Sequence, residues 1–212
     1  MAKLSGIKAV VFDLGGVLID LHAEEARQEL LKKYGILLDG FARLTRSSFE
    51  SYPRSITELA MTGMAGTAEY LGAFLGECTL KDLDGLKVNR LSVVGAERPG
   101  VFAVVEQLKA AGFICCVLSN TITLHWDKLM AADAYPSLKV FDHVFASHLI
   151  QCAKPEEASF TFVANALNLR MSECLLVDDT QLNVDKAEAA GWSGLLFKDT
   201  EDLQQLVSEI MR

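Results

Sequence analysis

Residues 7–20 read IKAVVFDLGGVLID: an apolar run rich in β-branched side chains, interrupted once by Lys8, that stops at Asp13 and runs into Gly15 and Gly16. A short run of this kind bounded by turn residues predicts a strand buried on both faces. Four more runs share the build: FICCVLSN (113–120), HVFAS (143–147), CLLVDD (174–179) and GLLF (194–197). Segments of helical period lie between them. GVFAVVEQLKAAG ends at Gly112, PEEASFTFVANAL opens with Pro155 placed for a first helical turn, and VDKAEAAG stops at Gly191. Strand alternating with helix predicts an α/β fold with a doubly wound parallel sheet.

The alternation fails between about Leu21 and Arg98, where the pattern is helical. Ser55-Ile-Thr-Glu58 and Thr79-Leu-Lys-Asp82 have the form of capping boxes there. The expected organisation is therefore a core domain of residues 1–20 and 96–212 with an α-helical bundle inserted as 21–95. Because that bundle leaves just after the first strand and returns before the second, it should stand over the carboxyl ends of the strands as a lid or cap.

Composition narrows the partners. Half of the 212 residues are apolar, enough for one well-buried core plus a smaller appended unit. A formal charge of −8, with no run of Lys or Arg, argues against a nucleic-acid partner. The apolar start is too short, and too soon interrupted by Lys8 and Asp13, for a signal peptide or membrane span, so the expectation is a cytoplasmic protein. The five cysteines, Cys78, Cys115, Cys116, Cys152 and Cys174, follow no metal-binding spacing and form no even framework, and read as small core residues. Nothing in the sequence sets the oligomeric state.

Ligands of open α/β sheets bind at the carboxyl ends of the strands, so the polar residues that end the apolar runs belong together. They are Asp13, Ser119 with Asn120, and Asp178 with Asp179. A carboxylate at a strand tip can attack phosphorus and split one hard hydrolysis into two easier steps. A phosphate dianion approaching several carboxylates is repelled unless a hard divalent cation lies between them, and oxygen ligands suit Mg²⁺.

Four stretches, DLGGVLID (13–20), VLSNT (117–121), KPEEASF (154–160) and LLVDDTQLNVDKAEAAGW (175–192), resemble in order the four motifs of the haloacid dehalogenase superfamily. The resemblance covers nearly the whole chain. With Leu124-His125-Trp126, Tyr135-Pro136 and Asp142-His143, the chain is most similar to bacterial sugar-1-phosphate phosphatases with a helical cap. The resemblance implies a Rossmann-like core and a Mg²⁺-dependent hydrolase acting on a small phosphorylated metabolite, a sugar phosphate among the candidates. It implies Asp13 as nucleophile and, as metal ligands, the Asp13 side chain, the Gly15 carbonyl and Asp179, with Asp178 water-bridged or hydrogen-bonded nearby. Ser119 and Asn120 would donate to the phosphoryl oxygens, and Lys154 would hold negative charge during transfer.

One position departs from the pattern. Most phosphatases of the superfamily carry an acid two residues after the nucleophile, and here Gly15 stands there. General acid–base help is worth about 10²–10⁴ in rate, so three readings stay open: a phosphatase for good leaving groups such as an anomeric oxygen, a 2-haloacid dehalogenase, or a non-catalytic binding protein of the same fold. The adjacent acids Asp178 and Asp179 favour a metal and hence phosphate. Arg43, Arg46 and Arg54 of the insert either reach a polar substrate or are solvated. His22, His125 and Trp126 lie near the expected mouth, with Trp126 read as core packing.

Overall fold

The computed structural model describes residues 6–210. In chain order, the elements are β1 (Ala9–Phe12), β2 (Ile19–Leu21), α1 (Ala23–Lys32), α2 (Leu38–Thr45), α3 (Ile56–Met61), α4 (Thr67–Glu77), α5 (Leu83–Leu91) and β3 (Val94–Glu97). They continue with α6 (Pro99–Ala110), β4 (Ile114–Ser119), α7 (Thr123–Leu129), β5 (His143–Ala146), α8 (Ser147–Ile150) and α9 (Glu157–Ala166). The last are β6 (Cys174–Asp178), α10 (Gln181–Ala189), β7 (Ser193–Leu196) and α11 (Thr200–Ile210).

All five expected strands form one sheet in the order β5-β4-β1-β6-β7, every pair parallel. The period of two along each strand divides it between two cores. Val10, Phe12, Cys115, Val117, Leu175 and Val177 face α6 and α11, where Val105 and Leu203 meet them. Ala9, Val11, Cys116, Leu118, Cys174 and Leu176 face α9 and α10 through Phe160 and Ala187. These strand side chains are fully buried, and each large aliphatic among them contributes about 1.5–3 kcal/mol. The chain steps outward from β1 to β4 and β5, then returns to β6 on the other side of β1. The strand order therefore reverses between β1 and β6, where a crevice is expected.

The stretch between β2 and β3 is helical, as expected, with its own cluster around Leu30, Tyr34, Tyr70, Leu71, Phe74 and Leu86. Ile122 and Leu124, from the start of α7, complete that cluster, so the helices are sealed by a piece of the sheet layer. Hydrogen bonds fasten the return: His125 Nε2 donates to the Arg90 carbonyl (2.9 Å), Lys128 Nζ to those of Leu91 (3.0 Å) and Val94 (2.7 Å).

Several local readings change. β2 and β3 pair antiparallel, Ile19 opposite Glu97 and Leu21 opposite Val94, so the expected boundaries at 20/21 and 95/96 cut through a ribbon. Ser55 and Glu58 do form a capping box. Thr79 does not: α5 is capped by Asp82, which accepts from the Gly85 N–H, while Thr79 donates to the Tyr34 carbonyl. Pro155 sits before the first turn of α9, after a cis peptide bond from Lys154, because the loop first delivers Lys154 inward. The cysteines are free, four of them buried, and burial pushes the Cys115 and Cys116 thiols up to about 12. Among the described residues no helix is long and apolar enough to cross a membrane.

Candidate active site

Asp13 follows β1 directly, and its N–H donates to the Val177 carbonyl (2.8 Å), so the ladder with β6 holds to the last residue. Asp178 ends β6 and Ser119 ends β4, on either side of it. The carboxyl ends of three neighbouring strands thus bring together the residues expected there.

Lys154 joins them from the loop before α9. Its side chain is fully buried, with Nζ 2.9 Å from Asp13 Oδ1 and 2.6 Å from Asp178 Oδ2. Burial alone would lower its pKa, but Asp13 and Asp178 more than offset this and hold it above the usual lysine value. Asn120 sets the loop: its Nδ2 donates to the Lys154 carbonyl (2.6 Å) and its Oδ1 accepts from the Lys154 N–H (2.9 Å). The Asn120 side chain is therefore engaged in placing Lys154, and Asn120 also lines the cavity above. Ser147, which the sequence reading treated only as a strand end, fixes the same turn by accepting from the Thr121 N–H (3.0 Å).

The two adjacent acids separate in role. Asp178 is fully buried and its oxygens are taken by Lys154, by the Thr180 N–H (2.9 Å) and by Asn183 Nδ2 (3.0 and 3.1 Å). Asn183 was missed from sequence, although it lies one turn into α10 within the fourth motif. Asp179 is exposed and accepts only a long bond from its neighbour Thr180 (3.4 Å). Asp13 Oδ1 accepts from the Leu14 N–H (2.7 Å) as well as Lys154, which leaves Oδ2 free.

Oxygens of Asp13, Asp178 and Asp179 all lie within 4.8 Å of one another. Burial pushes the Asp13 carboxyl up to about 7; Lys154 opposes this, and Asp178 and Asp179 add to it. Asp179 is raised as well, by burial and then by Asp178. Three carboxyl groups gathered around one ammonium form an oxygen donor set that a hard divalent cation fits. Asp179 and Asp13 Oδ2 are the oxygens open to it.

The loop after Asp13 is shaped for this approach. Gly16 has φ +83°, and a Cβ on it would lie 2.0 Å from Asp179 Oδ2. Gly15, its neighbour, does not take the left-handed conformation. Arg98, also missed from sequence, donates to the Gly16 carbonyl and through Nε to Asp20 Oδ1 (2.6 Å).

A cavity of about 530 Å³ opens over the site between the sheet and the helices and is lined by Asp13, Gly15, Ser119 and Asn120 below. His125 lines it too; His22 is exposed beside Gly95. Trp126 packs against the core, as expected. Arg43 pairs with Glu77, Arg46 with Glu58 and Arg54 with Glu156, so the three arginines answer to acids of the protein itself.

The family model described as haloacid dehalogenase-like hydrolase matches residues 7–191. A sesquiterpene phosphatase from Aspergillus oryzae is 26% identical over 94% of this chain and 96% of its own length. An (S)-2-haloacid dehalogenase from Burkholderia cepacia is 26% identical over 90% of this chain and 82% of its own. Among solved structures, the family enzyme bt-2542 from Bacteroides thetaiotaomicron, in complex with magnesium and inorganic phosphate, superposes with a TM-score of 0.78 at 22% identity, covering 95% of this chain and 99% of that one.

Proposed function

The chain belongs to the haloacid dehalogenase-like hydrolase family, and from that premise we propose that it is a Mg²⁺-dependent phosphomonoesterase working through an aspartyl-phosphate on Asp13. Its substrate is a small phosphorylated metabolite, sugar phosphates among the candidates. The observation that carries this reading is the charge arrangement: one buried lysine between Asp13 and Asp178, with Asp179 left open beside them.

In the first step a carboxylate oxygen of Asp13 forms a bond to phosphorus as the bond to the leaving oxygen breaks, and that oxygen takes a proton from water. In the second, water attacks the phosphorus, which frees Asp13 and gives inorganic phosphate. The sum is ester plus water to alcohol plus phosphate. Lys154 and the Ser119 hydroxyl meet the charge on the equatorial oxygens, and Asn120 keeps Lys154 in place. Held by Asp13, the Gly15 carbonyl and Asp179, Mg²⁺ would screen the carboxylates from the phosphate and hold Asp13 ionised at neutral pH. The helices between β2 and β3 act as the cap that closes the cavity and excludes water.

No side chain at Gly15 protonates the leaving oxygen, which suits leaving groups that depart without much help. Halide displacement has no use for the second open carboxylate, Asp179, and this favours phosphate over a haloacid.

The test is phosphate release from an aryl phosphate and a panel of sugar phosphates, with Mg²⁺ and with chelator, using Asp13→Asn as the blank. Metal-dependent release that disappears in the variant supports the reading. Release that survives in Asp13→Asn ends the nucleophile assignment, and release from no ester moves the weight to a haloacid assay.

A further inference from the structure

The upper part of the cavity is apolar, with Ile19, Leu21, Phe41, Met61, Ile122 and Leu129 on its walls. One further charge, Arg90, stands on these walls beside the ion-paired Arg27 and Glu24. Arg90, near the end of α5, is 6% exposed, its Nε donating to Tyr70 Oη at 3.3 Å and its guanidinium lying 5.0 Å from the centre of the Phe74 ring. Its Nη1 is buried without a partner. The other arginine on the cavity wall, Arg27, is held by Glu24 at 2.6 Å.

Arg90 brings a guanidinium charge onto this wall. Removing it from water without a counter-charge costs far more than contact with one aromatic face returns. Tyr70 Oη accepts from Arg90, which leaves its own hydrogen to donate. Arg90 and Tyr70 both line the cavity, so a guanidinium and a hydroxyl stand together on one wall, a pair that matches the planar oxygens of a carboxylate.

We propose that the ligand of this cavity is a phosphomonoester whose leaving group has an apolar body ending in a carboxylate, with the carboxylate received by Arg90 and Tyr70. This rests on the phosphatase reading for the phosphate end only. It narrows the substrate away from sugar phosphates, because most of the lining surface is apolar.

The experiment measures equilibrium binding to Asp13→Asn protein with Mg²⁺, comparing phosphonooxyhexanoate, hexyl phosphate of the same chain length, and glucose-1-phosphate. The carboxylate ester should bind about 30-fold tighter than hexyl phosphate, the usual scale for a buried charge pair. Adding Arg90→Met should bring the two to parity by weakening only the first, and Arg90→Lys should restore part of the difference. Equal binding of the two hexyl esters, or tightest binding of glucose-1-phosphate, overturns the proposal without any Arg90 variant having to fold. If the preference holds but wild-type protein hydrolyses none of the esters, the phosphatase reading fails and the carboxylate subsite stands.

Discussion

On the floor of the cavity Lys154 lies between Asp13 and Asp178, and Asp178 accepts further from Asn183 and the Thr180 N–H. On the roof Arg90 is almost as deeply buried, yet it has only Tyr70 and the face of Phe74. The same chemical problem, a cation taken out of water, is closed within the protein in one place and left open in the other. On the proposed function, the floor holds one geometry for phosphoryl transfer, while the roof keeps a charge for the ligand that enters.

Removing the floor's cation should have the largest effect. Lys154→Met leaves Asp178 buried and unpaired, which should cost about 3–5 kcal/mol in urea unfolding along with phosphate release. Adding Asp178→Leu should recover folding but not activity. If Lys154→Met alone is as stable as wild type, the floor is not the closed charge system described.

A second prediction concerns the joint between floor and roof. Burial pushes the His125 ring down to about 4, the Arg90 carbonyl it binds opposing this, so the folded protein holds it neutral. Its folded pKa lies below the unfolded value, so the stabilisation is fully present above about 6.5 and is lost as pH falls through about 4. Over that window it amounts to at most roughly 3 kcal/mol at 1.36 kcal/mol per unit. Unfolding free energies of His125→Leu should decline less on acidification than those of wild type, and parallel curves would remove His125 from the joint.

The smallest effect on stability is expected at Gly16. A side chain there meets Asp179 Oδ2 and requires positive φ, so Gly16→Ala should cost about 1–2 kcal/mol and weaken Mg²⁺ binding seen by calorimetry. Unchanged Mg²⁺ affinity would show that Asp179 does not need its present position.

The contrast between floor and roof also marks what could be read from sequence. Each strand is a short apolar run ended by a polar residue, and both the period and the ending are local, so the sheet and Asp13, Ser119, Asp178 and Asp179 were legible together. The ribbon of β2 and β3 was not, because each strand is only a few residues long and its partner lies beyond five helices. Lys154 beside a proline looks like a surface lysine until the fold delivers it between two acids. Arg43, Arg46 and Arg54 looked available because Glu77, Glu58 and Glu156 are joined to them only by packing. Arg90 carries no signal at all in its own helix: what distinguishes it is a missing partner, and absence of a partner exists only in three dimensions.

The central claim is that the floor transfers a phosphoryl group to Asp13, and the most direct measurement is rapid acid quench of a turning-over reaction followed by mass spectrometry of the peptide that contains it. The account predicts a phosphoryl adduct on Asp13 that forms with Mg²⁺ present and decays at the turnover rate. Steady phosphate release with Asp13 unmodified, or an adduct on any other residue, would contradict it.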